Sequence, residues 1–203
     1  MTVPAIVLAA GASRRLGQPK QLVRVAGETL LAYTLRIARE ATSEPILVVL
    51  GARQEEIAAN VDLSHVNVAT NPDWEQGIAS SIRAGIRALM DLDPDASAVL
   101  FLVCDQPRLT ADHLRSLIEA HEQAGEPAIV ASHYAGATGI PAIFPAGQFA
   151  NLLALEGDAG ARYLLRNTGC AVVEVEFSGG EADIDTPSDL ERIHDNRALK
   201  RDV

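Results

Sequence analysis

Five charged side chains carry the chemistry that this 203-residue sequence offers. Arg14, Arg15 and Lys20 lie in "LAAGASRRLGQPKQL", Leu8 to Leu22, where a short apolar run breaks into glycine and then into three cations. Asp105 ends the apolar run of "LVCDQP", and Asp185 sits in "ADIDTPSDL" near the other end of the chain. Glycines let backbone amides approach an anion, and Arg and Lys neutralise polyphosphate charge. A solvated basic loop explains the same residues equally well. A carboxylate at the end of an apolar strand costs free energy unless it is paired, capped or bound to a cation. Asp105 is therefore a turn or helix-entry acid ahead of Thr110 or, beside a phosphate loop, a ligand for Mg²⁺. That ion takes one or two protein carboxylates and fills its shell with phosphate oxygens and water. Thr186-Pro187-Ser188-Asp189 makes a helix start, with Thr as N-cap, Pro at the first helical position and an acid at the third. Asp189 is then structural, and Asp185, just outside the cap, is free for another task. Asp183 fits a solvated surface acid equally well.

The spacing excludes two common phosphate loops. Gln18 follows Gly17 where a Walker A loop needs Lys, no Ser or Thr follows Lys20, and position 13 is Ser where the dinucleotide fingerprint needs its second Gly. Charge is distributed unevenly. The chain carries −10 overall, yet residues 1–27 contain no acid and hold Arg14, Arg15, Lys20 and Arg24. Lysine occurs only at positions 20 and 200, against fifteen arginines. A local anion site on an acidic protein follows, and broad binding to nucleic acid or to an anionic membrane does not. Cys104 and Cys170 lie far apart in apolar contexts. They are expected to be buried free thiols in a reducing cytoplasm, with no zinc site or disulfide framework. No apolar stretch is as long as a membrane span, and "MTVPAIVLAAG" lacks the basic start of a signal peptide.

The elements that must position these residues are short apolar strands separated by amphipathic helices. Residues 5–10, 46–51, 66–70, 98–105 and 128–132 form apolar runs rich in branched side chains, the pattern of buried strands. "TLLAYTLRIAREA" and "IASSIRAGIRALM" carry helical apolar stripes, and "TADHLRSLIEAHEQAG" has Thr110 as cap and Gly125 as stop. After Gly136 the pattern loosens into "PAIF", helices near 147–155 and 159–166, the strand "AVVEVEF" and a last helix from Pro187. The alternation predicts one α/β domain over 1–203: a three-layer α/β/α, Rossmann-like arrangement with a mostly parallel central sheet. Ligands in such sheets bind outside the carboxyl ends of the strands.

The opening loop resembles the L-A-[AG]-G-x-S-x-R-[ML]-G-x-x-K pattern of the MobA-like nucleotidyltransferases, placing Gly11, Ser13, Arg15, Gly17 and Lys20 on motif positions. The resemblance implies a Mg²⁺-dependent enzyme whose loop, Leu8, Ala9, Ala10, Gly11, Ser13, Arg15 and Lys20, wraps a nucleotide triphosphate. Arg15 and Lys20 act on its phosphates in catalysis, and Arg14 falls on a variable position. The family's Asp-x-Pro and "DIDTPxD" segments imply that Asp105, also catalytic, and Asp185 hold the metal. "NPDWEQGIASSIRAG" is similar to the family's N-x-x-W-x-x-G-x-x-x-S segment and brings Asn71, Gly77 and Ser81 near the nucleoside. Trp74 is a packing residue or a base contact. "ATGIPAIF" and "EGDAGARYLL" match the segments that hold the acceptor in relatives, giving Gly139, Pro141, Asp158, Gly160 and Arg162. Asp158 and Arg162 fit a structural i,i+4 ion pair equally well.

The "LAAG" form, carried by Ala10, resembles the cytidylyltransferase branch. It implies CMP transfer from CTP to molybdopterin with release of pyrophosphate, the product passing to a molybdenum hydroxylase. Guanylyl transfer to the same cofactor, cytidylyl transfer to a sugar or methylerythritol phosphate, and a non-catalytic molybdopterin carrier are the alternatives.

Overall fold

The protein is described by a computed structural model covering residues 3–43, 45–124, 127–167 and 169–198. Its centre is a seven-stranded sheet of β1 (Ala5–Leu8), β4 (Ile46–Leu50), β5 (Asn67–Thr70), β6 (Ala98–Val103), β7 (Ile129–Tyr134), β8 (Ala137–Pro145) and β9 (Val172–Glu176). The order is β5-β4-β1-β6-β8-β7-β9. β8 alone runs against the rest: it is antiparallel to both β6 and β7, whereas the other neighbouring pairs are parallel. It folds back from β7 through Ala135 and Gly136, both at positive φ, as a two-residue hairpin loop requires. The expected mostly parallel α/β sheet is present.

Period-two alternation along β1 explains the layers. Ala5, Val7 and Ala9 face one side, where they meet Leu31 and Leu35 of α1 (Leu30–Ala41) and Leu114 and Leu117 of α4 (Ala111–Ala124). Ile6, Leu8 and Ala10 face the other, against Ile82, Ile86 and Leu89 of α3 (Ile78–Leu92) and the short α5 (Phe149–Leu153) and α6 (Ala161–Asn167). Thr110 caps α4 as expected, its hydroxyl accepting from His113 N at 3.2 Å; Gly125 lies outside the described residues.

Several expected elements differ in detail. The strand at 66–70 is not buried: β5 is a sheet edge, and only Ala69 within it is even half-buried. The helix at 147–155 is a 3₁₀ turn over Ala146–Gln148 followed by α5. Helix α2 (Gln54–Asn60) and a two-residue hairpin of β2 (Arg24–Val25) and β3 (Glu28–Thr29) were not legible as periodic patterns, being too short to show a period. Cys104 is buried, but Cys170 is only half-buried and accepts a hydrogen bond from Gln148 Nε2 at 2.9 Å. Among the described residues no helix is long and apolar enough to cross a membrane.

Candidate active site

The chain leaves β1 to build β4 and β5 on one side, then returns to lay β6 on the other. β1 and β6 therefore flank the point where strand order reverses, and the loops leaving their carboxyl ends diverge. A cavity of about 340 Å³ opens there, a volume suited to a small-molecule ligand. One wall is the loop from Leu8 to Arg14, and another is Val103, Cys104 and Asp105. Trp74 and Gly77, just ahead of α3, and Ile78 and Ser81 from its first turn, with Asp158, close it.

The glycine loop is held by its own polar groups. Ser13 takes a left-handed φ of 52°, its carbonyl accepts from Leu16 N and Gly17 N, and its hydroxyl accepts from Lys20 N at 3.0 Å. Gln21, almost wholly buried, donates its amide to Ala9 O at 2.6 Å and Gly11 O at 3.0 Å. Those carbonyls are drawn into the protein, so the loop cannot turn them towards a ligand. Gln21 had no assigned role in the sequence; within the 3₁₀ turn Lys20–Leu22 it is the polar residue that the fold buries.

Asp105 and Asp185 are 80 residues apart in sequence and meet at one atom. Lys20 Nζ donates to Asp105 Oδ2 at 2.8 Å and to Asp185 Oδ1 at 2.5 Å. Arg15, largely exposed, donates to the other Asp185 oxygen at 2.7 Å. What brings the chain ends together is Ile184. Its amide donates to Asp105 O at 2.9 Å, and its side chain is fully buried with Leu16, Val23, Val25 and Leu30. Behind it, α7 (Pro187–Ala198) is anchored by Asp189, whose carboxylate accepts from Thr186 N, Thr186 Oγ1 and Asp185 N. The Thr186 hydroxyl, foremost among these donors, helps hold the Asp189 carboxyl down at about 2. Asp189 is thus structural as expected, although the Thr186 hydroxyl serves the cap as a donor to Asp189.

The electrostatics follow from these contacts. Burial works against the Lys20 ammonium, but the Asp105 charge and the bonds to both carboxylates outweigh it and raise its pKa above the usual lysine range. Asp185 also loses hydration, yet the Lys20 hydrogen bond and charge, with Arg15, hold its carboxyl below the usual range. The adjacent Cys104 thiol is pushed up to about 12 by burial and by the Asp105 charge, so it is a neutral part of the wall.

The remaining expected residues divide into three groups. Leu8, Ala9, Ala10, Gly11, Ser13, Lys20, Gly77, Ser81, Asp105 and Asp158 line the cavity; Asn71 does not. Asn71 lies buried behind the wall and donates to Ser80 Oγ at 2.8 Å and Ser81 Oγ at 3.0 Å, which fixes the first turn of α3. Arg14, unassigned in the sequence, faces Glu75 at 3.6 Å across the rim, both exposed. Asp158 is not on a helix, because α6 begins at Ala161, and the side chain of Arg162 lies outside the described residues. Gly139 and Pro141 sit within β8, away from the cavity wall, and Gly160 packs beside Ile78. Sequence reasoning also left Gln106 without a role; buried, it donates to Ile140 O at 3.0 Å and ties the loop after β6 to β8.

Against known proteins, residues 5–173 match the family described as the MobA-like NTP transferase domain. The chain belongs to this family. This MobA-like nucleotidyltransferase is similar over most of its length to the following proteins. The purine catabolism protein PucB of Bacillus subtilis is 29% identical over 198 residues, covering 93% of this chain and 94% of PucB. Nicotine blue oxidoreductase of Paenarthrobacter nicotinovorans is 30% identical over 205 residues, covering 94% of this chain and 96% of that protein. Among solved structures, Rv0371c of Mycobacterium tuberculosis H37Rv superposes with a TM-score of 0.84 at 32% identity, covering 95% of this chain and 98% of Rv0371c. A complex of Rv0371c with manganese has also been solved, with a TM-score of 0.78 against this MobA-like chain at 29% identity, over 95% and 98% of the two chains.

Proposed function

We propose that this nucleotidyltransferase transfers CMP from CTP to molybdopterin and releases pyrophosphate, with a divalent metal held between Asp105 and Asp185. The observation that carries the reading is the convergence of two carboxylates and a lysine beneath the glycine loop. Asp105 and Asp185 each turn one oxygen towards a single positive charge at hydrogen-bonding distance. Hard oxygens aimed at one cation are the donor set that Mg²⁺ and Mn²⁺ prefer, and the similar protein Rv0371c has been solved in complex with manganese. Two carboxylates leave the rest of the shell to water and phosphate oxygens, as a metal that arrives on a nucleotide requires.

The transfer is an in-line displacement at the α-phosphorus. An oxygen of the acceptor's phosphate attacks, the bond to the β-phosphate oxygen breaks, and no covalent enzyme intermediate forms. The metal, when bound, neutralises phosphate charge. The loop amides and the Lys20 ammonium receive the triphosphate and stabilise the charge that grows on departing pyrophosphate. Arg15 holds Asp185 in place from the solvent side. Gly77 and Ser81 border the nucleoside end of the cavity, with Asn71 orienting Ser81 from behind. Asp158, at the same wall, faces the acceptor, with Gly160 and Arg162 following it in the chain; Gly139 and Pro141, within β8 and off the wall, support that end of the site from behind. CTP is favoured by Ala10, the residue that distinguishes the cytidylyltransferase branch and a member of the cavity wall. The product would pass to a molybdenum hydroxylase in the cytoplasm, and residues 1–203 act as one domain.

The test is pyrophosphate release measured with CTP, GTP, ATP and UTP in turn, over molybdopterin and Mg²⁺ or Mn²⁺. The reading expects CTP to be turned over fastest. A preference for GTP would move the chain to guanylyl transfer. No release with any nucleotide, from protein that still binds molybdopterin, would identify a carrier instead.

A further inference from the structure

Lys20 Nζ stands 2.8 Å from Asp105 Oδ2 and 2.5 Å from Asp185 Oδ1. An ion taking those same two oxygens needs the space the ammonium fills. Two cations cannot share it, because their repulsion at contact distance is large wherever water is partly excluded. The local charge is also already balanced. Two carboxylates face Lys20 and Arg15, the latter 2.7 Å from Asp185, so a divalent ion approaching from solvent meets two acids that are already paired with cations.

We propose that Lys20 is a resident cation that closes the two-carboxylate position to divalent metal until a polyphosphate enters the cavity and draws the ammonium away. Metal and nucleotide then bind cooperatively, and metal alone binds weakly. The inference rests on the reading of this cavity as a nucleotide and metal site, and it adds the order in which the site is filled.

Three further observations support it. The Lys20 side chain is only 17% exposed, so it cannot withdraw into water while keeping its place in the fold; it leaves the acids only for another anion. The same side chain lines the cavity beside the glycine loop, so phosphates bound there offer that anion within its reach. Finally, among the described residues no group of three or more His, Cys, Asp or Glu side chains gathers to hold a metal. Without nucleotide, the position therefore offers an ion only the two carboxylates that Lys20 already holds.

Mn²⁺ binding, followed by the electron paramagnetic resonance signal of free Mn²⁺, tests this without any turnover. Wild-type protein and Lys20→Met are each titrated alone and with α,β-methylene-CTP, and tripolyphosphate serves as a probe that carries no base. In wild type, either anion should tighten Mn²⁺ binding by about tenfold or more, and by linkage Mn²⁺ should tighten anion binding by the same factor. Lys20→Met should bind Mn²⁺ alone about tenfold more tightly than wild type and lose most of the coupling. Adding Asp105→Asn should abolish that gain, which locates the ion. Wild-type protein that binds Mn²⁺ as tightly alone as with the anions overturns the proposal while leaving the metal site in place; this arm needs no variant to fold. Absence of Mn²⁺ binding even with the anions overturns the metal site itself, and the proposal with it.

Discussion

Gly77 is where the two halves of the site touch, and replacing it with alanine is a demanding test of the packing. Its φ is 97° with ψ near 175°, a region that residues with a Cβ enter only at a cost of roughly 1–3 kcal/mol. Space is the larger obstacle. A Cβ at Gly77 would lie 2.3 Å from Gly157 O, 2.5 Å from Gly157 C and 2.6 Å from Asp158 Oδ1. Two of these atoms are backbone, so the loop carrying Asp158 must retreat. That retreat breaks the bond from Ala79 N to Gly157 O, 3.1 Å long, worth about 1 kcal/mol, and adds an overpacking cost of about 1–3 kcal/mol. Together these give a destabilisation of roughly 3–7 kcal/mol for Gly77→Ala. Urea unfolding followed by circular dichroism measures it. Gly157→Ala is the internal control. Gly157 also has a positive φ, 58°, but no atom lies within 4 Å of where its Cβ would be, so only about 1 kcal/mol is expected. Equal losses at the two positions, or a loss below about 1 kcal/mol at Gly77, would refute the packing argument.

Other positions make separable predictions. Gln21→Leu keeps the side chain's bulk but removes both donations to Ala9 O and Gly11 O, so the loop loosens; the KM for nucleotide should rise by about 5–30-fold with kcat little changed, and a fall in melting temperature at constant KM would show that Gln21 only packs. Ile184→Ala empties a fully buried position among Leu16, Val23, Val25 and Leu30 and should cost about 2–4 kcal/mol in urea unfolding, a loss under about 1 kcal/mol contradicting its anchoring role. His113 is buried against Phe177 with Nε2 2.7 Å from Ser132 Oγ, and burial lowers its pKa from 6.5 to about 4. Between those values the unfolded chain takes up the proton and the folded one does not, so stability is lost as pH falls through this window. Unfolding measured at several pH values should show a shallower decline for His113→Gln, and parallel declines would remove His113 from the account.

Much of the architecture was legible because burial leaves a periodic trace. The strands of β1, β4 and β6 are covered on both faces, which demands uninterrupted apolar runs, and the helix stripes of α1 and α3 record which side meets the sheet. Where burial is one-sided or slight, the trace fades. The runs at 66–70 and 171–177 were apolar enough to be read as strands, but nothing in them marked β5 as an edge strand. The antiparallel course of β8 likewise depends on the Ala135-Gly136 turn rather than on any run of apolar residues.

The sequence by itself determined the parts of the site: a glycine loop ending in a lysine, an acid closing an apolar strand, and an acid just outside a helix cap. Each is local, because backbone freedom, charge and capping act over a few residues. Only the tertiary structure decided how they combine. Asp185 reaches Asp105 because Ile184 is buried under Leu16 and Leu30 and its amide extends the end of β6, contacts that no spacing encodes. The same folding drew Asn71 behind the wall, brought Gly77 against Gly157 and set the Lys20 ammonium between the two acids. The physical reason is that local signals specify elements, whereas the meeting of residues distant in the chain is set by which apolar faces must be buried together.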